Sequence, residues 1–518
     1  MSQEKEYVVI VNRGVDLAAF DLEMAAELGE GSVPSRPVGV ANPRLGSKRM
    51  THWMLTDEEA AELQNDSRVF AVEIPPEQRD DIQIGINALQ TADFTKPSAL
   101  ETDKVNWGLR RCIEETNVYS NGTTATGNYP YALDGTGVDI VIQDSGLQVD
   151  HPDFTDSQGT SRVQQIDWYT ESGLPGSQNV NHYRDFDGHG THCAGIAAGK
   201  TYGWAKNAHI YAQKLAGLEA GSDAGTGISI TDAFDCIRLW HAAKTNGRPT
   251  VVNMSWGYSS TLGGSPTGGN YRGSAWTWGV DYTENLALWQ ATGIVSPYGD
   301  GNRRLPARVA SVDAEIEDMI DAGIHVVIAA GNNYFKADVP TGADYNNTVV
   351  YGGSSYNYHR GSSPFSLEAI LVGNSDSTVE QSGANYLDKT ANSSSRGPAL
   401  TCYAPGTNII STCSTTSIYA TDDYPADSNY KIAMINGTSM AAPQVAGVIC
   451  QMLQVKPNAT PADIQSKIIN DSKAVMYTTG SDTDYATFGT SLLGSPNRFL
   501  YSKYGRQPLN ISGNVSIG

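Results

Sequence analysis

Two hydrophobic rhythms alternate through the middle of this chain. Residues 138–142, 250–254 and 324–330 are short apolar runs. A strand covered on both faces needs that composition, because neither side meets water. Between the runs, 229–244 and 310–322 carry apolar residues at helical spacing. Strand, helix, strand predicts an α/β fold: a doubly wound, mostly parallel sheet with helices on both faces. Ligand chemistry in such folds lies beyond the carboxyl ends of the strands. Asp144, Ser255 and Asn332 follow three such ends.

Upstream the rhythm differs. Residues 7–12, 52–55 and 69–74 read as strands, the last stopped by Pro75-Pro76. Leu17, Phe20, Leu22, Ala25, Ala26 and Leu28 mark a helix over 17–28. Thr56-Asp57-Glu58-Glu59 has the form of a capping box and opens a helix over 57–65. Strands interleaved with two helices predict a small α+β, ferredoxin-like domain over 1–80. A connector follows at 81–104, a large domain at 105–502 and a polar tail at 503–518. Within the large domain, 263–306 is an insertion rich in Gly, Trp and Tyr. A loop of that length is functional or carries its own structure. It is expected to rise beside the cleft and shape access, or to pack on itself.

Composition narrows the partners. The net charge of −21 argues against nucleic acid and against an anionic membrane. No apolar run reaches the 18 or so residues that a membrane span needs. The polar start, Met1 to Glu6, runs straight into the apolar 7–11 and has no secretory pattern. The expected location is therefore cytoplasmic or virion-associated, with a virus-encoded protein as one case. Six scattered cysteines make no disulfide framework and no zinc motif. Cys193 reads as a buried thiol. Nothing in the pattern specifies an oligomer.

The chemistry lies in three distant stretches: Asp144-Ser145-Gly146, His189-Gly190-Thr191-His192 and Gly437-Thr438-Ser439-Met440-Ala441-Ala442-Pro443. A serine hydroxyl is a poor nucleophile at neutral pH. It needs an imidazole to take its proton and a carboxylate to hold that imidazole in the right tautomer. Here the three groups come in the order Asp, His, Ser. A helix starting near Ser439 would direct its positive end at the hydroxyl. Asp150, Asp153, Asp185 and Asp187 compete with Asp144 on paper; each falls in a loop and reads as a surface or metal group. His192 reads as packing or a hydrogen bond beneath the site. A metal pair with His189 lacks a third ligand.

With Val252 to Gly257 and Ala329 to Asn333 added, these stretches resemble the subtilases, and within them the proteinase K-like branch. The resemblance runs from about Trp107 to Tyr501. It implies a serine endopeptidase with Asp144, His189 and Ser439 as the triad and Asn332 in the oxyanion hole. Ser255, Trp256, Gly257, Ala329, Ala330 and Gly331 would be the walls of the first specificity pocket. No charge lies in those six, so uncharged, apolar or aromatic side chains should precede the cut. The N-terminal domain would be an inhibitory propeptide, with self-cleavage within about 88–104; the alternative is an unrelated adaptor domain. Substrates would be proteins or peptides.

Two departures stand out. Gln444 occupies a position where the family commonly has His, which should affect packing more than chemistry. Thr401 replaces an Asp that binds calcium in the proteinase K-like branch. No cofactor is required for the chemistry; structural calcium elsewhere is compatible with the acidic loops, and the sequence names no metal ligands. Two other readings use the same residues: a virion or structural protein that only processes itself, and a peptide ligase or esterase.

Overall fold

The computed structural model describes residues 4–25, 36–79, 83–86, 106–125, 129–219, 223–294, 303–478 and 491–505. The N-terminal part comprises β1 (Lys5–Val11), α1 (Leu17–Ala25), β2 (Gly39–Asn42), β3 (Met50–Leu55), α2 (Asp57–Leu63) and β4 (Val69–Glu73). Its antiparallel sheet has the order β2-β3-β1-β4. The β2 strand was not anticipated; Gly39-Val40-Ala41-Asn42 has no apolar run to betray it. The capping box forms, with Thr56 N donating to Glu59 Oε2 at 2.8 Å and Glu59 N to Thr56 Oγ1 at 3.3 Å.

Strand alternation gives this small sheet two apolar faces. Val9, Val11, Trp53 and Leu55 pack under Phe20, Met24 and Leu63 of its own helices. Val8, Ile10 and Met50 face the other way, onto Ala314 of the helix Ala310–Asp321. That helix follows Val309, which offers no capping side chain. Glu73, at the end of β4, supplies the cap: its carboxylate accepts from Ala310 N at 3.1 Å and Ser311 N at 2.7 Å. Charge follows the same division. Arg44 pairs with Asp235 at 3.2 Å and with Glu315, Arg49 with Glu317 at 2.8 Å, and Arg13 with Glu368 at 2.8 Å. Arg44 is buried, which is tolerable only because two carboxylates meet it.

The central sheet contains β6 (Asp139–Asp144), β7 (His209–Lys214), β8 (Thr250–Met254), β13 (His325–Ala329), β16 (Ile370–Ser382), β17 (Asn385–Thr390) and β18 (Cys402–Pro405). The order is β17-β16-β13-β8-β6-β7, with β18 also on β16. All pairs are parallel except β16–β17. The helix His189–Ala198 packs on Thr438–Val455, and Ile230–Ala243 on Ala310–Asp321. No helix among the described residues is long and apolar enough to cross a membrane. The fold is α/β around a mostly parallel sheet, as the alternation predicted.

The insertion packs on itself, but not alone. From β9 (Trp256–Leu262) the chain continues into β10 (Gly268–Tyr271) and β11 (Ser274–Thr277), and returns through β12 (Arg303–Pro306). A later pair, β14 (Thr348–Tyr351) and β15 (Ser354–Asn357), completes a sheet of order β11-β10-β14-β15. Trp276, Leu288, Leu305, Phe335, Val349 and Tyr358 make its separate core. A third small sheet, β19 (Ile409–Cys413), β21 (Asp427–Ile435) and β20 (Thr421–Tyr424), supports the His189–Ala198 helix. Finally β5 (Gln83–Ile86) pairs antiparallel with β9, which has β12 on its other edge. The rest of the 81–104 connector, including the stretch expected to be cleaved, lies outside the described residues, as does 506–518 of the tail.

Candidate active site

Asp144 ends β6, in the interior of the sheet, and is fully buried. Its Oδ1 accepts from Ser145 N at 2.7 Å and lies 2.7 Å from His189 Nδ1. His189 opens its helix just after Gly188, whose φ of +92° suits glycine. The ring is also fully buried. Burial works against charge on it and the Asp144 carboxylate works for it; the balance raises the imidazole pKa well above the ordinary 6.5. In the neutral ring the Nδ1 contact fixes the tautomer, with the lone pair on Nε2. Nε2 has no hydrogen-bond partner among the described residues.

Ser439 is the second residue of the helix Thr438–Val455, a helix buried on nearly every side. Its Oγ donates to Ser255 O at 3.0 Å, and Ser255 Oγ donates back to Ser439 O at 3.0 Å. The expected second hydrogen bond of the triad, from Ser439 Oγ to the ring, is therefore not formed here: the nearby carbonyl holds the hydroxyl. Asn332 follows β13. Its Oδ1 accepts from Thr438 N and Thr438 Oγ1, both at 3.0 Å. Two donors on the amide oxygen fix the plane of the group, with its nitrogen turned away from Thr438.

The two walls also sit at the carboxyl edge. Ala329 ends β13; Ala330 and Gly331 continue it, with Ala330 N on Val372 O at 3.0 Å and Gly331 O accepting from Ser395 N at 2.9 Å. Trp256 and Gly257 open β9, and Ser255 just precedes it. The Trp256 ring turns inward, donating to Gln143 Oε1 at 3.2 Å beside Phe234, so this residue offers the wall its backbone. Along that backbone lies β5, with Ile84 opposite Tyr258, Gly85 opposite Gly257 and Ile86 opposite Trp256.

Three of the four competing aspartates need correction. Asp150 is exposed, but Asp153, Asp185 and Asp187 are buried. Asp153 accepts from Thr201 N at 2.9 Å. Asp185 takes four donors around the His189 turn. Burial, and to a lesser degree Asp185 and Asp144, push the Asp187 carboxyl up to about 7 against the pull of His189. These roles escaped the sequence because loop aspartates carry no periodicity that reports burial.

The remaining candidates are structural. His192 Nε2 donates to Ile409 O at 3.2 Å and Ala433 O at 3.0 Å, and burial lowers its pKa to about 3. Cys193 Sγ lies 3.8 Å from His189 Nδ1, yet burial pushes the thiol up to about 11, so it stays protonated. All six cysteines are unpaired and buried. Among the described residues the group of three or more potential metal ligands is Asp144, His189 and Cys193, two of them triad members. Thr401 Oγ1 accepts from Leu371 N at 3.1 Å. Gln444 does more than pack: it exchanges amide hydrogen bonds with Asn106 at 2.8 and 2.9 Å and accepts from Trp204 Nε1 at 2.6 Å.

A sequence profile of the subtilase family matches residues 135–491. A subtilisin-like serine protease of Cochliobolus lunatus is 30% identical over 73% of this chain and 56% of its own length. A cuticle-degrading serine protease of Arthrobotrys oligospora is 26% identical over 78% of this chain and 70% of its own. An extracellular serine proteinase of Thermus sp. is 26% identical over 80% and 68%. The chain spans 56%, 64% and 56% of three curated relatives it matches. Fervidolysin from Fervidobacterium pennivorans, a keratinolytic enzyme related to subtilisin, shares the fold, with a TM-score of 0.50 at 18% identity, over 99% of this chain and 62% of that one. Relatives such as the extracellular proteinase contradict the expected cytoplasmic or virion-associated location, which is withdrawn.

Proposed function

The chain belongs to the subtilase family, and on that premise we propose that it is a serine endopeptidase working through an acyl-enzyme on Ser439. One observation carries the reading. The buried 2.7 Å contact of Asp144 with His189 Nδ1 leaves Nε2 unpartnered among the described residues, at the same sheet edge where Ser439 lies in the first turn of its helix.

In this reading the Ser439 hydroxyl turns from Ser255 O to His189 Nε2. As the oxygen bonds to the substrate carbonyl carbon, its proton passes to Nε2. The carbonyl π electrons move to oxygen, where the Asn332 amide and the Ser439 N–H stabilise the anion, helped by the helix dipole. Collapse expels the amine, which takes the Nε2 proton. Water then repeats the sequence and frees the acid. Asp144 keeps the ring oriented and stabilises its charge throughout. No cofactor enters these steps.

Substrate recognition follows from β9. An extended peptide can pair with that edge through groups every polypeptide has. The β5 strand occupies it now. A substrate in the same antiparallel register would place its next residue opposite Ser255, whose carbonyl meets Ser439 Oγ at 3.0 Å. This supports the N-terminal domain as inhibitor and first substrate. The relatives are named proteases, which gives no support to a self-processing scaffold. The test is labelling with a fluorophosphonate, for wild type and Ser439→Ala, with N-terminal sequencing of each. Wild type should label, turn over an unrelated peptide and lose its N-terminal domain. Failure of wild type to label, or labelling of Ser439→Ala, refutes the reading.

A further inference from the structure

We propose that Asp185 is a positioning residue for the base. It fastens the start of the His189 helix to the end of the Asp144 strand and so sets the direction of Nε2. The inference rests on the protease reading above.

Asp185 is 1% exposed. Oδ1 accepts from Ser145 Oγ at 3.0 Å and Gly188 N at 2.8 Å; Oδ2 accepts from Thr191 N at 2.9 Å and Thr191 Oγ1 at 2.5 Å. Every donor lies beside a triad member. Ser145 follows Asp144, Gly188 precedes His189, and Thr191 stands two residues beyond it. The network closes through two relays. Ser145 Oγ accepts from Gly190 N at 2.9 Å, and Thr191 Oγ1 accepts from Gln148 N at 3.0 Å. The two segments also abut directly, since a Cβ on Gly190 would lie 2.2 Å from Gly146 O.

The triad needs this second fastening. Asp144 holds the ring through Oδ1 alone, and its Oδ2 has no hydrogen-bond partner among the described residues. A single hydrogen bond fixes Nδ1 but lets the ring pivot about it. What limits the pivot is the position of the helix start, and Asp185 holds that. Thr416 Oγ1 in turn anchors Asp185 O at 3.0 Å. Asp185 touches no reacting atom. A carboxylate serving only as a helix cap would affect stability and leave the kinetics of the folded enzyme alone.

The experiment compares full-length wild type, Ser439→Ala, Asp185→Asn, Ser145→Ala, Thr191→Val and the Asp185→Asn/Ser145→Ala double variant on one peptide substrate. Misplacing a catalytic group by about 1 Å costs about 100-fold, so Asp185→Asn should lose about 30- to 300-fold in kcat with KM nearly unchanged. Removing the anion should also move the acid limb of kcat/KM to lower pH. Ser145→Ala and Thr191→Val should each lose less. The double variant should be no worse than about threefold below Asp185→Asn, because both act through one network. Wild-type kcat in Asp185→Asn, a loss confined to KM, or additive losses overturns the inference. If Asp185→Asn does not fold, wild-type kcat in both Ser145→Ala and Thr191→Val overturns it. A wild type that never turns over, or matches Ser439→Ala, sinks the protease reading and this inference with it.

Discussion

Removing the Glu73 carboxylate tests how the N-terminal domain is held. Glu73 caps a helix that belongs to the other domain, accepting from Ala310 N and Ser311 N at 3.1 and 2.7 Å. The helix has no cap of its own, and Ser311 is 6% exposed, so its amide has little access to water in compensation. Losing an N-cap side chain costs about 1 kcal/mol. Losing an anion at the positive end of a helix adds about 0.5–1 kcal/mol. Glu73→Ala should therefore weaken docking by about 2 kcal/mol, a factor of about 30. Glu73→Gln should fall between, since an amide keeps one acceptor oxygen without the charge. The assay is urea unfolding in the Ser439→Ala background, where the chain stays intact, with hydrogen exchange at residues 310–312 as a local probe. If the chain cleaves itself as proposed, activity should emerge sooner when Ser439 is present. A change below about 0.5 kcal/mol in Glu73→Ala, the usual scatter of independent sites, would refute the reasoning.

Ser439→Ala should abolish peptide turnover, and Asn332→Ala should lower kcat by about 10²–10³, a magnitude established on a subtilisin and so not independent of this family; stopped assays at saturating peptide distinguish them. A peptide library should show uncharged side chains before the cut, and a preference for Lys or Arg would reject the pocket assignment. Asp187 gives a pH prediction. Its carboxyl, raised from 3.8 to about 7, favours the folded state while protonated, so that contribution is present below 3.8 and lost as pH rises through 7. Asp187→Asn should gain on wild type by about 1–4 kcal/mol between pH 5 and 8 in urea unfolding; a gap that is flat with pH would contradict the raised value.

Much of the site was legible because its chemistry is spelled in contiguous residues. Asp144, Ser255 and Asn332 each end an apolar run, and a buried strand advertises its own end. Ser439 was legible through the small residues around it. The missing pieces depend on distant partners. Sequence puts Ser145 and Asp185 in loops and Thr191 at a helix start, with nothing to join them; their hydrogen bonds appear when the chain brings 145 and 185 together. The insertion hid its fold for the same reason, since β10 pairs with β14 across some eighty residues of intervening chain. The hydroxyl's present partner, Ser255 O, could not be read either, because motifs carry composition and not rotamers.

The strand lying along β9 has a consequence for access to the cleft. A sheet edge that reads only peptide groups cannot tell food from kin. On the proposed reading, β5 keeps that edge closed by strand pairing alone, so whatever displaces four residues of backbone opens the cleft.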